Sequence, residues 1–103
     1  RVINIYYIGD KMDSINIEDL KKYTNYKLID IRTKEDYMKG HLPGALNIEL
    51  EDILAFPNKY LSKNLTYVIY CDEGKSSLRL VQVLKKNYDV ISLNGGYEQN
   101  RRL

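Results

Sequence analysis

Tyr67-Val68-Ile69-Tyr70-Cys71-Asp72-Glu73-Gly74-Lys75-Ser76-Ser77 joins three kinds of local structure in eleven positions. The run Thr66 to Tyr70 is rich in β-branched and aromatic residues and reads as a buried strand. A short glycine-containing loop follows. From Ser76 to Lys86 the apolar positions Leu80, Val81, Leu84 and Tyr88 recur on one helical face, with Lys85 and Lys86 at the end where the helix dipole favours cations. Cys71, the chain's one cysteine, therefore sits between a strand and the start of a helix. A lone cysteine most often packs as a small hydrophobe. A thiol at such a junction can be ringed by backbone N–H groups and face the positive end of a helix dipole, both of which favour a thiolate, so it is the candidate nucleophile.

Working outward, short strands alternate with short helices, without repeats or low-complexity segments. Residues 1–10 read as an N-terminal arm or an extra strand, with Val2 to Ile8 apolar and Gly9-Asp10 ending the run. Ser14-Ile15 leads into a helix that Asn16 is placed to cap and that runs to Tyr23, its early acids and late lysines suiting the dipole. Leu28 to Ile31 reads as a buried strand. Thr33 with Asp36 forms a capping-box pattern for a helix through Lys39, and Gly40 is expected to end it in a left-handed turn. Pro43-Gly44 marks a turn before a strand at Ala45 to Ile48, and Glu51 to Leu61 reads as helix interrupted or restarted at Pro57. Val90 to Leu93 is a last strand before Asn94-Gly95-Gly96. This alternation predicts an α/β fold: a mainly parallel central sheet of about five strands with helices on both faces. In such sheets sites form at the C-terminal ends of strands, where Cys71 falls.

With 103 residues, 44% of them apolar, the chain is expected to be one domain, 1–103, with one modest core. Its 16 basic and 14 acidic residues are interspersed, so no basic stripe marks a nucleic-acid partner. The ten tyrosines are scattered and make no stacking platform for bases. No apolar run reaches the length of a membrane span and no signal peptide opens the chain, so no membrane partner is expected. A single cysteine makes no internal disulfide, and no cluster of Cys and His suggests a metal, which together point to a reducing, cytoplasmic setting. The first residue is Arg1, which suggests a trimmed chain, a processed product or a domain excised from something longer.

Three blocks of residues, in order, resemble the single-domain rhodaneses. Leu28-Ile29-Asp30-Ile31-Arg32, followed by Tyr37, Gly40-His41-Leu42-Pro43-Gly44-Ala45 and Asn47, is similar to the family's LIDVR and GHxPGAxN patterns; Tyr70-Cys71-Asp72-Glu73-Gly74-Lys75-Ser76-Ser77 is similar to its YCxxGxxS loop; and Leu93-Asn94-Gly95-Gly96 is similar to its LxGG ending. Together they extend from about Ser14 to Tyr97. The resemblance implies a rhodanese-like fold and a sulfurtransferase that needs no cofactor. Its cysteine, Cys71, would take the outer sulfur of thiosulfate, polysulfide or a persulfide, hold it as a persulfide, and pass it to cyanide or a thiol, with a sulfur-carrier or thioredoxin-like protein as a candidate acceptor. This is two-step covalent catalysis.

The loop Asp72, Glu73, Gly74, Lys75, Ser76 and Ser77 is then the substrate-binding segment. Backbone N–H groups would hold the anionic sulfur in both half-reactions. Gly74 permits the tight curl, Ser76 and Ser77 add hydroxyls, and Lys75 either steers an anionic donor or is solvated surface. Asp72 and Glu73 oppose the thiolate and disfavour a dianionic donor such as thiosulfate, unless both point outward. Asp30 and Arg32 share one side of their strand by alternation, where they pair with each other or brace the loop. His41 is read as a satisfier of its own turn, because an activated thiol needs no general base. Gly95-Gly96 reads as a tight turn whose N–H groups are available to the rim of the site. Phosphatases that share the fold use a longer CxxxxxR loop. Here the arginine position holds Ser77 and the first arginine is Arg79, inside the helix, which argues against phosphoryl transfer. The competing class is a rhodanese-fold binding or regulatory module, weakly catalytic or inactive, cut from a larger protein.

Overall fold

The computed structural model describes residues 12–102; the arm or strand expected at 1–10 lies outside them. In chain order the elements are β1 (Ser14–Ile15), α1 (Ile17–Leu20), β2 (Lys27–Asp30), α2 (Lys34–Lys39), β3 (Leu46–Asn47), α3 (Leu50–Ala55), α4 (Pro57–Tyr60), β4 (Thr66–Tyr70), α5 (Lys75–Leu84), β5 (Asp89–Leu93) and α6 (Gly96–Asn100). The five strands form one sheet in the order β1-β5-β4-β2-β3, and every pair is parallel. The α/β fold expected from the alternation is therefore present.

Parallel strands are buried on both faces, and β4 shows this in its sequence: all five of its residues are buried. Alternation divides them. Tyr67 and Ile69, with Ile29, Ile31 and Val90, face a core closed by Ile53 of α3, Leu61 after α4, and Leu80, Val81 and Leu84 of α5. Val68 and Tyr70, with Ile15, Ile91 and Leu93, face the opposite core, closed by Leu20 of α1 together with Leu42, Ala45, Tyr37 and Tyr97. Each fully buried aliphatic side chain contributes about 1.5–3 kcal/mol of burial free energy, so two such cores hold the sheet from both sides.

Local sequence explains most element boundaries. Thr33 accepts a hydrogen bond from the Asp36 N–H at 3.2 Å and starts α2. Pro57 opens α4 at its first turn, where its missing N–H costs nothing, and splits the Glu51 to Leu61 segment in two. Three expectations are corrected. Asn16 occupies the N-cap position of α1 but makes no cap hydrogen bond, because its side-chain oxygen accepts from Asn94 across the β1–β5 edge instead, and α1 ends at Leu20, short of Tyr23. Gly40 is extended rather than left-handed, and a Cβ there would press on the tip of the Tyr97 side chain. Ser14–Ile15, which reads as a lead-in to a helix, pairs with Ser92 and Leu93 as the edge strand.

The topology opens a crevice. After β2 the chain passes through α2 to β3 at one edge, whereas after β4 it passes through α5 to β5 on the other side and over the opposite face. Neighbouring strands whose connections diverge leave an opening at their C-terminal ends. Those ends are Asp30 and Tyr70, aligned in register, with Ile31 and Cys71 next in each chain.

Candidate active site

Cys71 follows β4 directly and is 8% exposed. Its Sγ accepts hydrogen bonds from the backbone N–H of Gly74 at 3.2 Å and of Ser77 at 3.3 Å, and lies 3.3 Å from Ser77 Oγ. Ser77 is the third residue of α5, whose N-cap is Gly74, a residue with no side chain to offer. The sulfur thus occupies the place an Asp or Ser side chain fills in an ordinary helix cap, accepting an otherwise orphaned first-turn N–H. An anion there gains from both hydrogen bonds and the helix dipole.

The curl depends on two glycines. Gly74 has φ +100°, a left-handed conformation that L side chains rarely adopt. Gly96, at φ +57°, begins α6 directly behind the loop, where a Cβ would strike the Cys71 carbonyl oxygen and come within 2.7 Å of that of Asp72. That close approach lets the Tyr97 and Glu98 N–H groups donate to the Cys71 and Asp72 carbonyls at 2.8 and 2.9 Å. With those carbonyls held from behind, the loop's later amides face the sulfur. The N-terminus of α6 therefore grips the loop's back through Tyr97 and Glu98, and Gly95 and Gly96, both at positive φ, form the tight turn read from the sequence.

Asp30 and Arg32 form the other wall. Asp30 is fully buried and accepts from the Arg32 backbone N–H at 2.8 Å, from Nε at 3.1 Å and from Nη2 at 2.8 Å. Burial disfavours the Arg32 charge, but the hydrogen bonds and charge of Asp30, with Asp72 further out, raise its proton affinity overall. Arg32 also donates to the Gly40 carbonyl at 2.6 Å, lies over the Tyr97 ring at 4.1 Å, and approaches Asp72 at 3.7 Å. It thus ties the end of β2 to the loop. Burial, then the Asp30 carboxylate, push the Tyr70 hydroxyl above its ordinary range, outweighing the Leu42 N–H it accepts at 3.0 Å, so this phenol stays protonated.

A mouth of about 250 Å³ opens over Cys71, lined by Ile31, Arg32, Thr33, Asp36, Glu49, Leu50, Glu51, Cys71, Asp72 and Ser76. Of the loop residues read from the sequence, Asp72 and Ser76 line it, Gly74 and Ser77 touch the sulfur, and Glu73 and Lys75 stand outside, exposed and 3.8 Å from each other. Asp72 is 60% exposed and neutralised in part by Arg32. Sequence reading missed three lining carboxylates: Asp36 in the first turn of α2, Glu49 at the N-cap of α3, and Glu51 in its first turn. The signal was available, because in a parallel α/β sheet the helix N-termini gather at the end where the strands finish. His41 is exposed, stacks on the Tyr37 ring at 3.8 Å and meets the Tyr37 carbonyl through Nδ1 at 3.0 Å, outside the mouth. Among the described residues no cluster of His, Cys, Asp and Glu could hold a metal ion, and no helix is long and apolar enough to cross a membrane.

A parallel α/β sheet with one cysteine cradled by loop amides at its switch point defines a class of protein, and comparison with known proteins identifies the family. Residues 16–102 match the family model described as Rhodanese-like domain, and the chain belongs to that family. It is similar to a tRNA sulfurtransferase of Pyrobaculum aerophilum, 42% identical over 59 residues that make up 57% of this chain and 12% of that protein. It is also similar to the uncharacterized protein YqhL of Bacillus subtilis, 32% identical over 79 residues, 75% of this chain and 62% of that one. The chain thus spans less than two thirds of either relative. The crystal structure of SSP1007 from Staphylococcus saprophyticus superposes with a TM-score of 0.76 at 30% identity, covering 85% of this chain and 92% of that one.

Proposed function

We propose that this protein is a sulfurtransferase that carries sulfane sulfur on Cys71, in the cytoplasm, where a single thiol stays reduced. The observation that carries this reading is the sulfur's position as the cap acceptor of α5 at the floor of an open mouth. In the first half-reaction the Cys71 thiolate attacks the outer sulfur of a donor persulfide; the donor S–S bond breaks, a new S–S bond forms on Cys71, and the donor leaves as a thiolate. In the second, an acceptor thiolate attacks that outer sulfur and Cys71 is released as a thiolate. Once the proton of the outer sulfur passes to the departing donor thiolate, one negative charge is held on the Cys71 sulfur before and after transfer, which suits fixed N–H donors. The first-turn amides of Lys75 and Ser76, which have no intrahelical acceptor, are the donors we assign to the outer sulfur.

The charge of the mouth favours some donors over others. Among the described residues Asp36, Glu49, Glu51 and Asp72 line it against Arg32 alone, and Arg32 is already committed to Asp30. A dianion such as thiosulfate is repelled, whereas a persulfide on a small thiol or a protein brings less negative charge. The name of the Pyrobaculum relative, a tRNA sulfurtransferase, agrees with sulfur relay between macromolecules.

Mass spectrometry after incubation with a persulfide or polysulfide tests the reading. The protein is expected to gain one sulfur atom, and Cys71→Ala to gain none. A wild-type chain that stays unmodified with every donor would instead support a binding module. Neutralising Glu49 and Glu51 to Gln is expected to improve the use of thiosulfate relative to a small-thiol persulfide, and an unchanged ratio would remove the electrostatic argument.

A further inference from the structure

Ser77 Oγ has more neighbours than protons. It lies 3.3 Å from Cys71 Sγ, 3.4 Å from the Gly74 carbonyl oxygen and 2.7 Å from Ser92 Oγ. Ser92 sits on β5 beside Ile69, on the sheet face that carries α5, and is 1% exposed. Its hydroxyl meets Ser77 and, among the described residues, no other partner. A hydroxyl has one proton and two lone pairs. If Ser77 donated to Ser92, the Ser92 proton would be buried without an acceptor, which folded proteins avoid. The bond therefore runs from Ser92 to Ser77, and the Ser77 proton is left for either the Gly74 carbonyl or the sulfur.

We propose that Ser92 is a positioning residue for Cys71: by donating to Ser77 it keeps the Ser77 proton available to the sulfur when the sulfur is anionic. In the thiol state Cys71 donates to Ser77 Oγ, which turns its own proton to Gly74. Loss of the thiol proton to solvent lets the Ser77 proton swing onto Sγ as a third hydrogen bond, while the Ser92 bond is kept in both states. A hydroxyl that accepts one bond donates another more strongly. The loop motif contains Ser77 but gives no hint of Ser92, fifteen positions later on another strand.

This inference rests on Cys71 being the reacting thiol. Its test is the rate of iodoacetamide alkylation against pH, which reads the thiolate whether or not sulfur is transferred. Ser77→Ala is expected to slow alkylation near neutral pH about tenfold and Ser92→Ala about threefold, each moving the profile to higher pH. Acting through Ser77, Ser92→Ala is expected to add nothing in the Ser77→Ala background. The isosteric pair Ser92→Thr and Ser92→Val repeats the comparison at constant volume: Thr is expected to keep the profile and Val to shift it. The charged groups around the thiol, Arg32 after β2, Asp36 on α2, Glu49 and Glu51 at α3 and Asp72 on the loop, are untouched and act on every variant alike. Coincident Val and Thr profiles, or deficits that multiply in the double variant, would overturn the proposal. A relay shift without any Cys71 persulfide would leave it standing and remove the sulfurtransferase reading.

Discussion

At the scale of single residues, the site is made by what is missing as much as by what is present. Cys71 accepts two amides only because Gly74 curls and Gly96 lets α6 touch the loop carbonyls. Gly96→Ala places a methyl against those carbonyls in a left-handed backbone, and we expect a loss of about 1–3 kcal/mol of stability, read by urea melts. Alkylation of Cys71 should also slow more than the stability loss explains, since the loop amides would be turned from the sulfur. An alanine variant as stable and reactive as wild type would mean that the loop has room the geometry denies it. Cys71, Gly74 and the serine at 77 were legible in the sequence because one contiguous loop holds them. Ser92, Asp36 and Glu49 were not, because no local pattern records which side chains a parallel sheet gathers at one end.

At the scale of elements, short helices survive here by capping and packing, since among the described residues none is long enough to be stable alone. α2 has six residues, none of them buried, so its Thr33 cap matters. Thr33→Ala is expected to cost about 1 kcal/mol, and an unchanged denaturation midpoint would show that Tyr37, which donates to the Ala45 carbonyl at 2.6 Å, anchors the element without help. The cap of α2 was readable from Thr33 and Asp36, and the break at Pro57 from proline's missing donor. The Asn16 cap was misread because its side chain found a partner 78 positions away. Strand β1 escaped notice for a related reason: two residues carry no period, and its pairing partner lies on β5.

At the scale of the whole molecule, distant segments are joined by polar contacts as well as by the two cores. Asp13, just before β1, accepts from Lys85 after α5 at 2.7 Å and from Gln82 at 3.3 Å. The Lys85 hydrogen bond, against some desolvation and with help from Gln82, holds the Asp13 carboxyl below its ordinary value. A carboxyl depressed by folding adds stability above its unfolded value and loses it as pH falls through the folded one. Asp13→Asn is therefore expected to be less stable than wild type at neutral pH, with the gap closing at an acid pH below the depressed folded-state value, where the wild-type carboxyl is also protonated. Urea melts at both pH values check this. High salt should shrink the neutral-pH gap, because Lys85 is 44% exposed. A gap independent of pH would assign the effect to packing.

Sequence alone determined that strands alternate with helices, that they would pair in parallel, and that the one thiol stands where a strand yields to a helix. These are consequences of periodicity, capping chemistry and short-range backbone geometry, all of which act within a few residues. Tertiary structure alone decided the strand order, the grip of α6 on the back of the cysteine loop, the acidic lining of the mouth and the contact between Ser92 and Ser77. Each of those brings together groups far apart in the chain, and their meeting is set by how the sheet's two faces pack, which no local pattern encodes.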